Sequence, residues 1–249
     1  MKKLNFLAAL CCMLAVFTAC EKNEPNDNGN GINTDQNGGN SNTGSDNATG
    51  TANGHGYVDL GLPSGLKWAT CNVGATSPKE YGDYYAWGET EPNTNYDWST
   101  YKWCDGSETT LTKYNINSSY GTVDNKTVLE LADDAARANW GGVWRMPTDA
   151  EWTELRENCT WTWTSDYNGT GVKGRIVTSN INGNSIFLPA AGSRDNDGLD
   201  LAGIYGLYWS SSLNMGYPDG ALGVGFYSDG VYRGGSSRCC GLSVRPVFK

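Results

Sequence analysis

The chain has 249 residues, a formal charge of −9, 33 glycines, ten tryptophans and fourteen tyrosines. An acidic balance excludes nucleic acid as an obvious partner, because phosphates need a basic face. Abundant Gly with few charges argues against a helical bundle and for strands, tight turns and irregular loops.

The N-terminus reads as an export signal. Lys2 and Lys3 precede an apolar run from Leu4 to Phe17, interrupted only by Asn5, and Thr18-Ala19 then lead into Cys20. The run is too short and wrongly flanked for a spanning helix. A Cys straight after a small residue at the end of such a run resembles the lipobox of bacterial lipoproteins. That resemblance implies a signal peptide over 1–19 and acylation of Cys20, with an outer-membrane or cell-surface location and membrane attachment through the lipid alone. Glu21-Lys22-Asn23-Glu24 resembles the surface-export signals of Bacteroidetes lipoproteins.

Residues 20–56 are then almost wholly Asn, Gly, Asp, Ser and Thr, which predicts a disordered tether. As a flexible coil it would span about 30 Å. The only histidine, His55, falls within it. The folded domain is expected over 57–249.

Tyr57 to Leu60 alternates as a strand, Gly61 to Gly65 turns, and Leu66 to Thr70 resumes a strand. Tyr81 to Glu91 is aromatic and Gly-punctuated, so irregular and partly buried. Leu129 to Asn139 predicts a helix capped by Asp133 or Asp134. Thr148 and Glu151 form a capping box that opens a second helix, with Trp152 and Leu155 on one face. Arg175–Thr178 and Ser185–Leu188 flank Asn182-Gly183, a hairpin signal. Tyr208–Ser212 reads as a strand. So does the stretch in which Leu222, Val224 and Phe226 alternate with Gly223, Gly225 and Tyr227. The expected class is α+β: two helices and an interrupted, mostly antiparallel sheet. Trp68, Trp87, Trp144 and Trp209 read as core, and Trp161 and Trp163 as core or cross-strand pairs rather than sugar-stacking rings.

Several blocks occur in one order: Gly61-Leu62-Pro63-Ser64-Gly65-Leu66-Lys67-Trp68-Ala69-Thr70, Gly82-Asp83-Tyr84-Tyr85-Ala86-Trp87-Gly88-Glu89, Trp144-Arg145-Met146-Pro147-Thr148-Asp149-Ala150-Glu151-Trp152, Phe187-Leu188-Pro189-Ala190-Ala191-Gly192, Tyr208-Trp209-Ser210-Ser211-Ser212 and Ser243-Val244-Arg245-Pro246-Val247. Together they resemble the Fibrobacter succinogenes major paralogous domain of Bacteroidetes surface lipoproteins. That family looks related to the formylglycine-generating-enzyme branch of the C-type-lectin-like fold. The resemblance implies a compact domain with its termini close together and a loop-rich face near the C-terminal strands.

From Gly216 to Gly241 there is no Lys, Glu, Gln, Met or Trp, the residues that codons ending in C or T cannot encode. Residues reachable from an Asn codon by changing its adenines crowd the window instead. This resembles the variable region of proteins diversified by retroelements. It implies a ligand-binding region over 216–242 with exposed positions at Tyr217, Asp219, Gly220, Gly223, Gly225, Tyr227, Gly230, Tyr232, Arg233, Gly234, Gly235, Ser236, Ser237, Cys239 and Cys240. Leu222, Val224, Phe226 and Val231 would be scaffold. Tyr and Arg anchors with Ser and Gly fillers suit such a surface. A Gly-rich turn region closing an ordinary domain would give the same richness in Gly and Ser.

Catalysis is not expected. Formylglycine-generating enzymes use a late pair of cysteines, and here Cys239 and Cys240 are adjacent, which does not match. A ferrous oxygenase site wants two His and a carboxylate. Glu89, Glu91 and Asp133 are candidate acid–base groups that nothing singles out. Glu91-Pro92-Asn93 and the aspartates 195, 197 and 200 carry calcium-ligand chemistry without the spacing of a known loop. No cofactor is expected. Cys71, Cys104, Cys159, Cys239 and Cys240 are odd in number, so at least one is not in an intrachain disulfide. The expected role is a surface binding module for a protein or glycan. The alternatives are a structural envelope lipoprotein and an oxidoreductase resembling formylglycine-generating enzymes.

Overall fold

The computed structural model describes residues 48–249. The expected leader, Cys20 and the tether as far as residue 47 lie outside the described residues. Among those described, no helix is long and apolar enough to cross a membrane.

Ordered structure begins before Tyr57, and this corrects the expected boundary. Strands β1 (Gly50–Ala52) and β2 (His55–Asp59) pair as a hairpin through Asn53-Gly54. The polar composition of this stretch concealed its docking site. His55 stacks on Trp140 at 3.8 Å and meets Trp144 edge-on. The Trp144 indole donates to the Ala52 oxygen at 2.8 Å, and the Asn53 amide donates to the Trp140 oxygen. The chain's one histidine therefore belongs to the fold. β3 (Lys67–Ala69) pairs with β2 on one side and with the last strand, β14 (Val247–Phe248), on the other, so both ends of the described chain enter one sheet.

The largest sheet runs β12-β11-β10-β13-β4. It comprises β4 (Tyr84–Tyr85), β10 (Gly206–Leu213), β11 (Gly220–Tyr227), β12 (Gly230–Ser237) and β13 (Leu242–Ser243). Every pairing is antiparallel except β10 with β13. A third sheet orders β5 (Cys159–Thr164), β6 (Gly174–Ser179) and β7 (Ser185–Pro189), with the Asn182-Gly183 turn between the last two. β8 (Ser193–Asp195) and β9 (Gly198–Asp200) form a short hairpin.

Two α-helices complete an α+β architecture. α2 (Asp149–Asn158) starts at the expected capping box: Thr148 accepts from the Glu151 amide, and Glu151 accepts from the Thr148 amide. Glu151 also takes both guanidinium nitrogens of Arg145, at 2.7 and 2.6 Å. Trp152 and Leu155 face inward as their spacing predicts. α1 (Ala135–Trp140) is shorter than the helix expected from Leu129. Asp134 is its cap, accepting from Arg137 N at 3.0 Å. The stretch from Val128 to Glu130 is extended instead: Val128 bridges Ser212, the Leu129 amide donates to Ser211 of β10, and Leu213 donates back to Thr127.

Tyr208 and Trp209, neighbours on β10, point to opposite faces and enter two different cores. Trp209 packs with Trp87, Trp144 and Tyr114; Tyr208 packs with Trp68, Trp152 and Phe226. Trp68, Trp87, Trp144 and Trp209 are fully buried, as expected. Two arginines are fully buried as well. Arg245 donates to Asn72 Oδ1 and to the main-chain oxygens of Ala69, Thr70 and Phe187. Arg238 donates to the Tyr101 hydroxyl and to the main-chain oxygens of Lys113, Tyr114 and Pro218, and it lies 5.0 Å above the Trp87 ring. Neutral acceptors solvate these guanidinium groups in place of water.

Candidate functional site

The β11–β12 hairpin holds most of the residues expected to bind ligand, and its register sorts them into two sets. Tyr227 pairs with Gly230, Gly225 with Tyr232, Gly223 with Gly234, and Ala221 with Ser236, which puts these side chains on one face. Val231, Arg233, Gly235 and Ser237 share the other face with Phe226, Val224, Leu222 and Gly220.

The first face is only partly open, which corrects the expectation that all the alternating positions are exposed. Gly223 and Gly225 are buried there, and Gly220 is buried on the other face. Tyr232 lies across the backbone of Gly225, where a methyl group would run into its ring. Burial, together with the nearby Tyr205 and Tyr227 hydroxyls, pushes the Tyr232 phenol up to about 12. Cys239 and Cys240 are 5% and 2% exposed, because the chain turns inward after β12 toward the Trp87 core. They are core residues and cannot contact a ligand at the surface. Cys104, Cys159 and Cys239 are thiols without a disulfide.

On the second face Arg233 is exposed and holds Asp149 of α2 through both carboxylate oxygens, at 2.8 and 3.0 Å. It borders a shallow groove of about 620 Å³ lined by Val128, Thr148, Met215, Leu222 and neighbouring residues. Tyr217, 65% exposed, and half-buried Asp219 sit on the loop between β10 and β11. Gly230, Ser236 and Ser237 are half-buried.

The hairpin tip is where separate parts of the chain converge. A pocket of about 300 Å³ is lined by Trp163 on β5 and Ser165 after it, Lys173 before β6, Gly203, Ile204 and Tyr205 before β10, and Tyr227 at the end of β11 with Ser228 after it. Tyr205 and Tyr227 stand 5.4 Å apart with their rings tilted by 39°, and Tyr232 extends the aromatic row at 6.4 Å from Tyr227. Leu201 holds a left-handed φ of 59°, costly for a non-glycine residue, at the start of the turn that presents Ile204 and Tyr205.

Arg175 fixes the walls relative to one another. This buried side chain donates to Tyr227 O at 3.2 and 2.7 Å, to Ser228 O at 3.0 Å and to Trp161 O at 2.6 Å. Its guanidinium also lies 5.9 Å from the Trp163 ring centre. β6 thereby grips both the hairpin tip and β5. The result is a shallow, open depression lined by aromatic side chains and a few polar groups.

Of the residues expected to bind ligand, Tyr227 lines this pocket and Tyr232 lies beside Tyr227; Tyr205, Ile204 and Lys173 are not among them, and Trp163 is expected as core or a cross-strand pair. Trp163 is half-buried and lines the pocket, whereas Trp161 packs against Phe226.

Two of the acid–base candidates, Glu89 and Asp133, are committed to structure. Glu89 is buried, which raises its carboxyl, and it accepts from Lys102 N and from the Asn93 amide. The Glu-Pro-Asn segment thus closes its own loop. Asp133 accepts from Lys113 and from the Tyr114 hydroxyl, each at 2.5 Å. Asp195 is raised by burial and by neighbouring Asp200. Among the described residues no group of three or more His, Cys, Asp or Glu side chains is placed to hold a metal ion. No family model matches the chain, no curated protein matches it, and no solved structure matches it.

Proposed function

We propose that this protein is a lipid-anchored, surface-displayed binding module of the C-type-lectin-like class, which recognises a protein or glycan ligand through its C-terminal hairpin face and performs no chemistry. The observation that carries this reading is the convergence of Trp163, Tyr205, Tyr227 and Tyr232 at the tip of the β11–β12 hairpin, held by Arg175. Rigid aromatic side chains on a braced scaffold bind with little loss of conformational entropy.

Burial restricts any diversification of the tail to fewer positions than the codon argument gives. Tyr217, Arg233 and Gly235 are exposed and Tyr227, Tyr232, Ser236 and Ser237 half-buried, so exchange there costs the fold less than at the buried positions. Gly223, Gly225, Arg238, Cys239 and Cys240 are buried and belong to the scaffold.

The test is a glycan array combined with a displayed-peptide library, probed with the purified chain and with a Y227A/Y232A double variant. The reading predicts ligands that the variant, still folded, loses by tenfold or more. Ligands retained in full by the variant would contradict it.

A further inference from the structure

The chemistry of the hairpin-tip pocket narrows its ligand, on the footing that this face is the binding face. At about 300 Å³ the pocket lies at the small end for ligand sites, suited to one ring of a larger molecule. Its lining combines the aromatic side chains Trp163, Tyr205 and Tyr227 with Ser165 and Ser228, whose hydroxyl donates to Asp229. A pyranose ring has this mixed character: a flat C–H face that packs on an aromatic ring, and hydroxyls at its edge.

An extended peptide is less suited. Peptides dock on such scaffolds by pairing their backbone with unpaired main-chain groups. Here the Tyr227 and Ser228 oxygens at the tip already accept from Arg175, and the free edge of the sheet at this hairpin lies along β12, none of whose residues lines the pocket.

Charges of both signs surround the pocket. Lys173 is exposed at the rim, and Arg175 lies behind the wall with its hydrogen bonds directed to main-chain oxygens. Among the described residues neither has a carboxylate within ion-pair distance. Two carboxylates are nearby. Asp229, at the hairpin turn, acts on Arg175 through space. Asp166, beside Ser165, accepts from the Gly171 amide at 2.6 Å. Among the described residues Lys173 is therefore a cation with no ion-pair partner at the mouth of an aromatic pocket.

We infer that this pocket takes a glycan residue carrying a carboxylate, its ring against Trp163, Tyr205 and Tyr227 and its charge on Lys173. The test titrates the full purified chain with uronic-acid trisaccharides (glucuronate and galacturonate types) and with a sialylated trisaccharide. Each is matched to its neutral counterpart and followed by tryptophan fluorescence and calorimetry. At least one acidic member should bind fivefold or more tighter than its neutral partner at low salt. That advantage should vanish in K173Q and at high salt, and W163A should abolish binding of both. Equal binding of acidic and neutral members, an acidic preference that survives K173Q, or no saccharide binding at all would overturn the inference. A peptide or neutral glycan returned by the array and lost by Y227A/Y232A would leave the hairpin-face reading standing while this inference falls.

Discussion

Arg175 donates from both Nε and Nη2 to the main-chain oxygen of Tyr227, more than fifty residues away in the chain, and so ties β6 to the tip of the β11–β12 hairpin. A buried guanidinium whose acceptors are main-chain oxygens makes a clamp that any side chain at the tip can share. Replacing Arg175 with Met should leave the Trp161, Tyr227 and Ser228 oxygens short of donors. The expected loss is about 2–3 kcal/mol of stability, read by urea denaturation, with a marked fall in affinity for any ligand of the tip. A variant as stable as the parent would show that the clamp contributes nothing.

Arg238 is the corresponding anchor on the other side of the sheet. It lies inside the window rich in exchangeable residues yet is fully buried among Tyr101, Tyr114 and Pro218. R238M should cost about 3 kcal/mol or more, because four acceptors lose their donor together. Population sequencing of the 3′ end of the gene should then find adenine-biased variation at the codons for Tyr217, Tyr227, Tyr232, Arg233 and Gly235–Ser237, and an invariant Arg238. A uniform tail would remove the diversification reading.

His55 supplies a pH dependence. Burial lowers its pKa below the ordinary 6.5, so the unfolded chain binds the proton more readily than the folded one. This contribution to stability is complete above pH 6.5 and is lost as the pH falls from 6.5 through the folded pKa. The melting temperature of the wild type should drop more between pH 7.5 and 5 than that of H55F, and tryptophan fluorescence should change over the same range because His55 stacks on Trp140. Identical pH profiles for the two proteins would refute this.

Tyr232 tests the packing of the exposed face. Adding a methyl at Gly225 displaces the end of the Tyr232 side chain rather than backbone. G225A should therefore change stability little but release the ring to solvent. The Tyr232 phenol should fall from about 12 toward 10, as measured by NMR titration of ring-labelled tyrosine. An unchanged value would mean that the ring does not rest on Gly225.

What could be read from the sequence was local. The Thr148–Glu151 capping box, the Asn182-Gly183 hairpin and the alternation in β11 rest on near neighbours, and each took the expected form. Misreadings arose where distant contacts decided the outcome. Residues from Gly50 to Gly56 look like tether until Trp140 and Trp144 give them a surface to dock on. Leu129 has helical spacing, but β10 captures its amide. The aromatic pocket draws on residues from 163 to 228, and no spacing along the chain reveals that Lys173 and Tyr205 meet Tyr227. Cys239 and Cys240 look like part of a variable surface until the turn after β12 carries them into the core.

The most direct test of the binding face is an isotope-labelled NMR titration of the wild-type chain with the strongest ligand from the array. The account predicts the largest shifts at the Trp163 indole and at Lys173, Tyr205, Tyr227 and Tyr232. Shifts centred instead on Val128, Met215 and Leu222, or spread away from the hairpin, would contradict it.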